Sequence, residues 1–174
     1  MSDATDLDGF VRKLKAAQKS LQETKRAQFD RRVSFGDLIT ERHEIAAAYG
    51  FGDGTTCYDN VLVIGHVTVG KNTWIGPGCI LDGSGGLTIG DHCTLSAGVQ
   101  IYSHDTVQRT ISMGEAAIET AETVIGNGVY FGPNAIIQKG VVIGDHTVIG
   151  ALSLVNTPIP SHVRAWGTPA RVIE

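Results

Sequence analysis

The chain has 174 residues with 14 basic and 18 acidic side chains. Its net charge of −4 and lack of a basic stripe argue against a nucleic-acid surface, and no apolar run approaches the roughly 20 residues of a membrane span. Three cysteines, odd in number and without CxxC spacing, argue against a disulfide framework or a zinc ribbon. Twenty-two glycines beside only 5 prolines, with abundant Val and Ile, point instead to many short strands separated by tight corners.

The opening MSDATDLDGF is polar and acidic, unlike a secretory signal, so a cytoplasmic location is expected. Residues 6–50 read as helical. Strong helix formers carry apolar side chains at Phe10, Val11, Leu14, Leu21 and Phe29. A second helix is predicted from Ser34, with Asp37 three residues on as an Asp variant of the capping box, through Ala48 to a stop at Gly50. Residues 1–56 are thus expected to form an N-terminal helical arm, and residues 57–174 the main domain.

From residue 61 the period becomes six. Anchors fall at Val63, Val69, Ile75 and Leu81, resume after a two-residue slip at Ile89, Leu95 and Ile101, and return at Ile125, Phe131, Ile137, Ile143, Ile149 and Val155. Glycine often follows the anchor, as at Gly70, Gly90, Gly126 and Gly132, and is expected to make the turn. Four residues past each anchor sits a small or β-branched residue such as Thr73, Cys79, Cys93 or Thr147. A strand of two or three residues and a corner, three times over, makes a triangular coil of about eighteen residues. Such coils stack at about 4.8 Å, so that each coil satisfies its neighbour's backbone. Inward anchors form columns, and stability comes from stacking. Cys79 and Cys93 read as packing residues.

Two departures interrupt this regularity. Asp82-Gly83-Ser84-Gly85-Gly86 makes a corner two residues too long, and Tyr102 to Thr123 forms an excursion loop. Three hexads make a coil, so Val63, Leu81 and Ile101 share a face, and the loop leaves directly beside the enlarged corner. If the loop keeps the phase, Ile137 and Val155 join that face, and one edge collects Asp82, His104, Lys139 and Asn156. Imidazole has a pKa suited to taking a proton from a hydroxyl or amine near neutrality. His104 is therefore the candidate base, with Asp82 or Asp105 to hold its ring, Asp82 slightly preferred.

Residues 61–173 resemble the left-handed β-helix acyltransferases of the hexapeptide-repeat superfamily. The nearest likeness is to small sugar O-acetyltransferases related to the maltose and galactoside enzymes and their relatives in polysaccharide biosynthesis. WIGPGCILDGSGGLTIGDHCTLSAGVQIYSHD, VYFGPNAIIQKGVVIGDHTVIGALSLV and the ending WGTPARVIE carry the resemblance. It implies a left-handed parallel β-helix of hexapeptide repeats with an N-terminal helical arm. It also implies a homotrimer with sites between subunits, acetyl-CoA as co-substrate, a sugar-like acceptor and no metal. His104 matches the family's loop histidine, the general base of direct transfer in a ternary complex. Ala151 matches a small residue contacting the CoA arm, and Arg171 a basic residue near the nucleotide. Asn156-Thr157 stands where many relatives carry Thr-Lys, with Lys139 or Arg164 the candidate substitute for the missing lysine. The stretch QRTISMGEAAIETAE after the SHD segment departs from the family's expected aromatic, so the acceptor stays open.

Three rival readings are weighed against this one. N-acetylation of an amino sugar would use the same proton chemistry. A γ-carbonic-anhydrase-like zinc protein would need three histidines on adjacent coils, and His66, His92, His104 and His146 lack the close pair. A non-catalytic assembly module would have no need of a His104 loop.

Overall fold

The computed structural model describes residues 6–173. They fall in two compact units, one ending at Glu41 and one beginning at Arg42. The first holds helix α1 (Leu7–Phe29), capped by Asp6, whose carboxylate accepts from Gly9 N–H. It also holds α2 (Phe35–Ile39), where Ser34 Oγ accepts from Asp37 N–H and donates to the Asp37 carboxylate. The helix expected from Ser34 to Ala48 is in fact two. The chain turns extended at Thr40, and α3 (Arg42–Ala48) starts the second unit, with Ala46 buried. Neither glycine nor proline marks that break, and a β-branched residue leaving the helix is a weak signal.

The second unit is a left-handed parallel β-helix of about six turns. Three columns of paired residues build its core. Cys57, Ile75, Leu95, Phe131, Ile149 and Ala165 form one. Val63, Leu81, Ile101, Ile137 and Val155 form the second. Val69, Ile89, Ile125, Ile143 and Ile159 form the third. All these residues except Val63 are buried. The coil-to-coil bonds run Trp74 N–H to Cys93 O at 2.9 Å, Gly76 N–H to Leu95 O at 2.8 Å, and so on up the stack. An antiparallel hairpin, Arg164–Gly167 with Ala170–Ile173, follows the last turn. No helix among the described residues is long and apolar enough to cross a membrane.

Two expectations about the corners need correction. The glycines directly after the anchors do not adopt left-handed backbone. That conformation falls two residues later, at Asn72, Gly78, His92, Gly98, Gly128, Asn134, His146 and Leu152. Asn and His tolerate it better than most side chains. The post-anchor glycine answers to crowding instead: a Cβ on Gly132 would overlap the backbone of Ala151 one coil on.

The segment Asp82–Gly86 is likewise no free corner. The strand Ile80–Ile89 bends through it while paired with Leu62–Val69, and the register shifts between Gly65 and Val67 to absorb the extra residues. Gly83 lies so close to the His66 carbonyl that only glycine fits.

The excursion loop hides no hexads. Ile101 pairs with Ile137, and Ile89 with Ile125, so it replaces one corner and leaves the phase intact. The loop has structure of its own. His104–Asp105 pairs antiparallel with Glu119–Thr120 around a short helix, α4 (Val107–Ile111). Ala121 N–H to Ser103 O, at 2.9 Å, ties its stem.

Candidate active site

Asp82 is the organising residue. Its side chain is fully buried, and its carboxylate accepts five hydrogen bonds. Oδ1 takes Ser84 N–H at 3.0 Å and Ser84 O–H at 2.6 Å. Oδ2 takes Ser103 N–H at 3.0 Å, His104 N–H at 3.2 Å and the His104 ring at Nδ1, 2.5 Å away. Burial pushes the Asp82 carboxyl pKa up, but the Ser84 hydroxyl, the backbone N–H groups and His104 together outweigh it, lowering the pKa from 3.8 to about 2. Asp82 is thus a carboxylate at neutral pH. The Nδ1 of His104 must donate to it, which leaves Nε2 of the neutral imidazole with its lone pair.

The local chain explains how this pair is made. Leu81 and Ile101 are partners on successive coils, so Asp82 and Tyr102 start adjacent corners, with Ser103–His104 just beyond. Gly85 lets the two corners nest: a Cβ there would lie 2.5 Å from the Ser103 carbonyl. Its N–H donates to Ser103 Oγ at 2.8 Å, and Thr123 Oγ1 donates to the Tyr102 carbonyl at 2.8 Å. Ser103 and Thr123 are both fully buried. The backbone bearing His104 is held from both sides.

His104 opens on a cleft of about 500 Å³ lined by Tyr102, His104, Asp105, Thr106, Val107, Ile136, Gln138 and Lys139. The lining combines apolar Ile136 and Val107 with polar Gln138 and Lys139, a mixture suited to a small polar ligand. Asp105 does not reach the His104 ring. Its Oδ2 binds Lys139 Nζ at 2.6 Å, and its Oδ1 accepts from Val107 N–H at 3.0 Å. Lys139 also binds Glu119 Oε2 at 2.8 Å. The hydrogen bond from Lys139 lowers the Asp105 pKa, and those to Asp105 and Glu119 raise that of Lys139. One cation therefore ties both strands of the excursion loop to the next coil.

The predicted residues divide accordingly. Asp82, His104, Asp105 and Lys139 come together. Asn156 and Thr157 lie exposed on the same edge, two coils beyond the Ile101 row, and do not line the cleft. Ala151 sits exposed at a different corner, the one after Ile149, and Arg171 on the final hairpin beside Trp166. Tyr102, Ser84 and Glu119 were given no role in the sequence reading. Tyr102 directly follows Ile101, an anchor of the same face, a spacing that could have revealed it. Glu119 lies in the loop, where no period operates. Cys79 and Cys93 are buried. Desolvation pushes the Cys79 thiol up to about 11 and raises Cys93 as well. Among the described residues no group of three His, Cys, Asp or Glu side chains is arranged around a possible metal position.

Comparison with known proteins accords with this architecture. Residues 122–157 match the bacterial transferase hexapeptide family (six repeats), and residues 66–103 the hexapeptide repeat of succinyl-transferase. The galactoside O-acetyltransferase of Escherichia coli K12 is 33% identical over 111 residues, 63% of this chain. The chain spans only 54%, about half, of that relative's length. Among solved structures, a maltose O-acetyltransferase from Clostridium difficile 630 superposes with a TM-score of 0.68 at 27% identity, over 92% of this chain and 87% of the other. A galactoside acetyltransferase in complex with coenzyme A shares the fold at a TM-score of 0.65 and 24% identity, covering 100% of this chain and 84% of that one. Its stacked six-residue coils and these matches make the chain similar, over residues 66–103 and 122–157, to the repeats of hexapeptide transferases.

Proposed function

We propose that the protein is an acetyl-CoA-dependent O-acetyltransferase for a sugar hydroxyl, with His104 as general base and Asp82 as the residue that holds it. The observation that carries this reading is the buried Asp82 carboxylate bound to His104 Nδ1 where the ring meets an open cleft. Nε2 takes the proton of the acceptor hydroxyl as its oxygen attacks the thioester carbonyl carbon. A C–O bond forms, the C–S bond breaks, and the departing thiolate receives the proton from Nε2. The acetylated sugar and free thiol leave, and His104 returns to its starting state. Asp82 stabilises the transient imidazolium and keeps Nδ1 protonated. An amine acceptor would meet the same base.

Names of relatives support the substrates: two act on galactosides or maltose, and one carries coenzyme A. Within this chain, Arg164, Trp166 and Arg171 occupy same-face positions of the final hairpin, with Trp166 opposite Arg171. Two cations and an indole suit the phosphates and adenine of a nucleotide. Lys139 is less suited to that task, because Asp105 and Glu119 already neutralise it. Exposed Leu62, Ile64 and Val142 on the outer surface of the coil support burial at a boundary between subunits, as a trimer requires.

The test is acetyl transfer to a panel of sugars and amino sugars with acetyl-CoA, for the wild type and His104→Ala. The variant should lose at least about 100-fold in kcat while keeping its circular dichroism spectrum and its mass by light scattering. Activity within a few-fold of wild type would remove His104 from the mechanism.

A further inference from the structure

We propose that α1 is a peripheral anchor that lays the protein on an anionic lipid surface. The helix is 23 residues long and buries none of them. At 3.6 residues per turn, Leu7, Phe10, Val11 and Leu14 share one stripe. Leu7 is 66% exposed, Phe10 59% and Leu14 40%. A stripe of this size left open to water is costly unless something covers it.

Charge identifies what covers it. Of the chain's 14 basic residues, six lie in this helix, Arg12, Lys13, Lys15, Lys19, Lys25 and Arg26, against two acidic ones, Asp8 and Glu23. The helix therefore carries +4 in a chain whose total is −4. Lys13 flanks the apolar stripe on one side; Lys15, Lys19 and Arg26 flank it on the other. Long basic side chains beside an apolar stripe can lay their stems along the acyl boundary and lift their charges to the headgroups. In the C-terminal half the same stripe is occupied within the unit: Lys25 bonds Glu41 at 2.6 Å and lies over the Phe29 ring. The open part thus spans about two turns. That is short for a coiled-coil seam, which needs three or four heptads, yet long enough for an interfacial helix to insert its apolar face.

The experiment is co-sedimentation of the full chain with vesicles of phosphatidylcholine alone or of phosphatidylcholine and phosphatidylglycerol in equal parts. The wild type should partition at least about 10-fold more strongly onto the anionic vesicles, and lose that preference in about 1 M salt, where screening reaches ~3 Å. Phe10→Glu/Leu14→Glu and, separately, Lys15→Glu/Lys19→Glu should each lower the partitioning at least about 10-fold with unchanged circular dichroism. Equal binding to both vesicle types, or anionic binding that neither pair of substitutions weakens, would overturn the assignment. So would a wild type that ignores vesicles while Phe10→Glu/Leu14→Glu lowers its mass by light scattering, because the stripe would then belong to a second copy.

Discussion

Replacing Asp82 by Asn keeps the size of the side chain and removes its charge, and the five hydrogen bonds at this residue allow the consequence to be worked out. A carboxamide has one oxygen. Placed where Oδ2 now lies, it leaves its NH₂ facing the Ser84 N–H, so that two donors meet. Placed where Oδ1 lies, it turns the NH₂ onto the N–H groups of Ser103 and His104 and onto Nδ1. At least one buried donor goes unpaired either way, at about 1–3 kcal/mol each. The second placement also forces the imidazole into the wrong tautomer, with its proton on Nε2.

The pH dependence gives an independent magnitude. A carboxylate lowered from 3.8 to about 2 by folding contributes about 2 kcal/mol of stability. Because the folded pKa is the depressed one, that contribution is complete above the ordinary carboxylate range. It is lost as the pH falls from about 4 through about 2. Urea unfolding at pH 7 should therefore show Asp82→Asn to be about 2–4 kcal/mol less stable than wild type, with the gap narrowing by about 2 kcal/mol near pH 2. The kcat of the variant should fall about 10²- to 10⁴-fold. A stability gap independent of pH, or a kcat above one-tenth of the wild-type value, would refute the electrostatic role given to this residue.

Lys139→Met removes both ties between the excursion loop and the next coil, so kcat should fall about 10-fold while the KM for acetyl-CoA moves less than about 3-fold. A large rise in that KM with kcat preserved would mean that Lys139 touches the nucleotide instead. Cys79 and Cys93 should resist iodoacetamide at pH 8 in the native state and react in denaturant, because both are buried and the Cys79 thiol is held up to about 11. Mass spectrometry of native and unfolded samples reads this directly, and rapid native labelling would contradict the packing described.

Much of the fold was legible because each inward side chain announces itself every six residues. The alignment of Leu81 with Ile101 could be computed from spacing alone, and with it the edge bearing His104, whereas that of Ile137 waited on the loop replacing a single corner. What the spacing could not supply was the partner of the imidazole. Asp82 and Asp105 were both admissible, one coil away and one residue away. Only the nesting of Gly85 under Ser103, with the bend through the long corner, brings Oδ2 to Nδ1. Glu119 was invisible for a related reason. It lies in a loop without period, and its pairing with Lys139 depends on how that loop folds back.

The break at Thr40 went unread because no residue there forbids a helix, whereas the turn at Asp30, in left-handed backbone, closes α1 within one residue of a run of helix formers. The glycines after the anchors were found correctly but explained wrongly. Contact with the next coil, rather than backbone angle, selects them.

Local pattern by itself determined the coil, its inward anchors and the place where the chain leaves them, because a stacked repeat imposes the same short-range demand on every turn. Tertiary structure decided which carboxylate lies against His104, which cation holds the loop, and that Ala151 and Arg171, expected at the CoA arm and near the nucleotide, do not line the cleft. Those outcomes depend on distances between residues far apart in the chain, set by how a bulge and a loop pack, and no short-range rule encodes them.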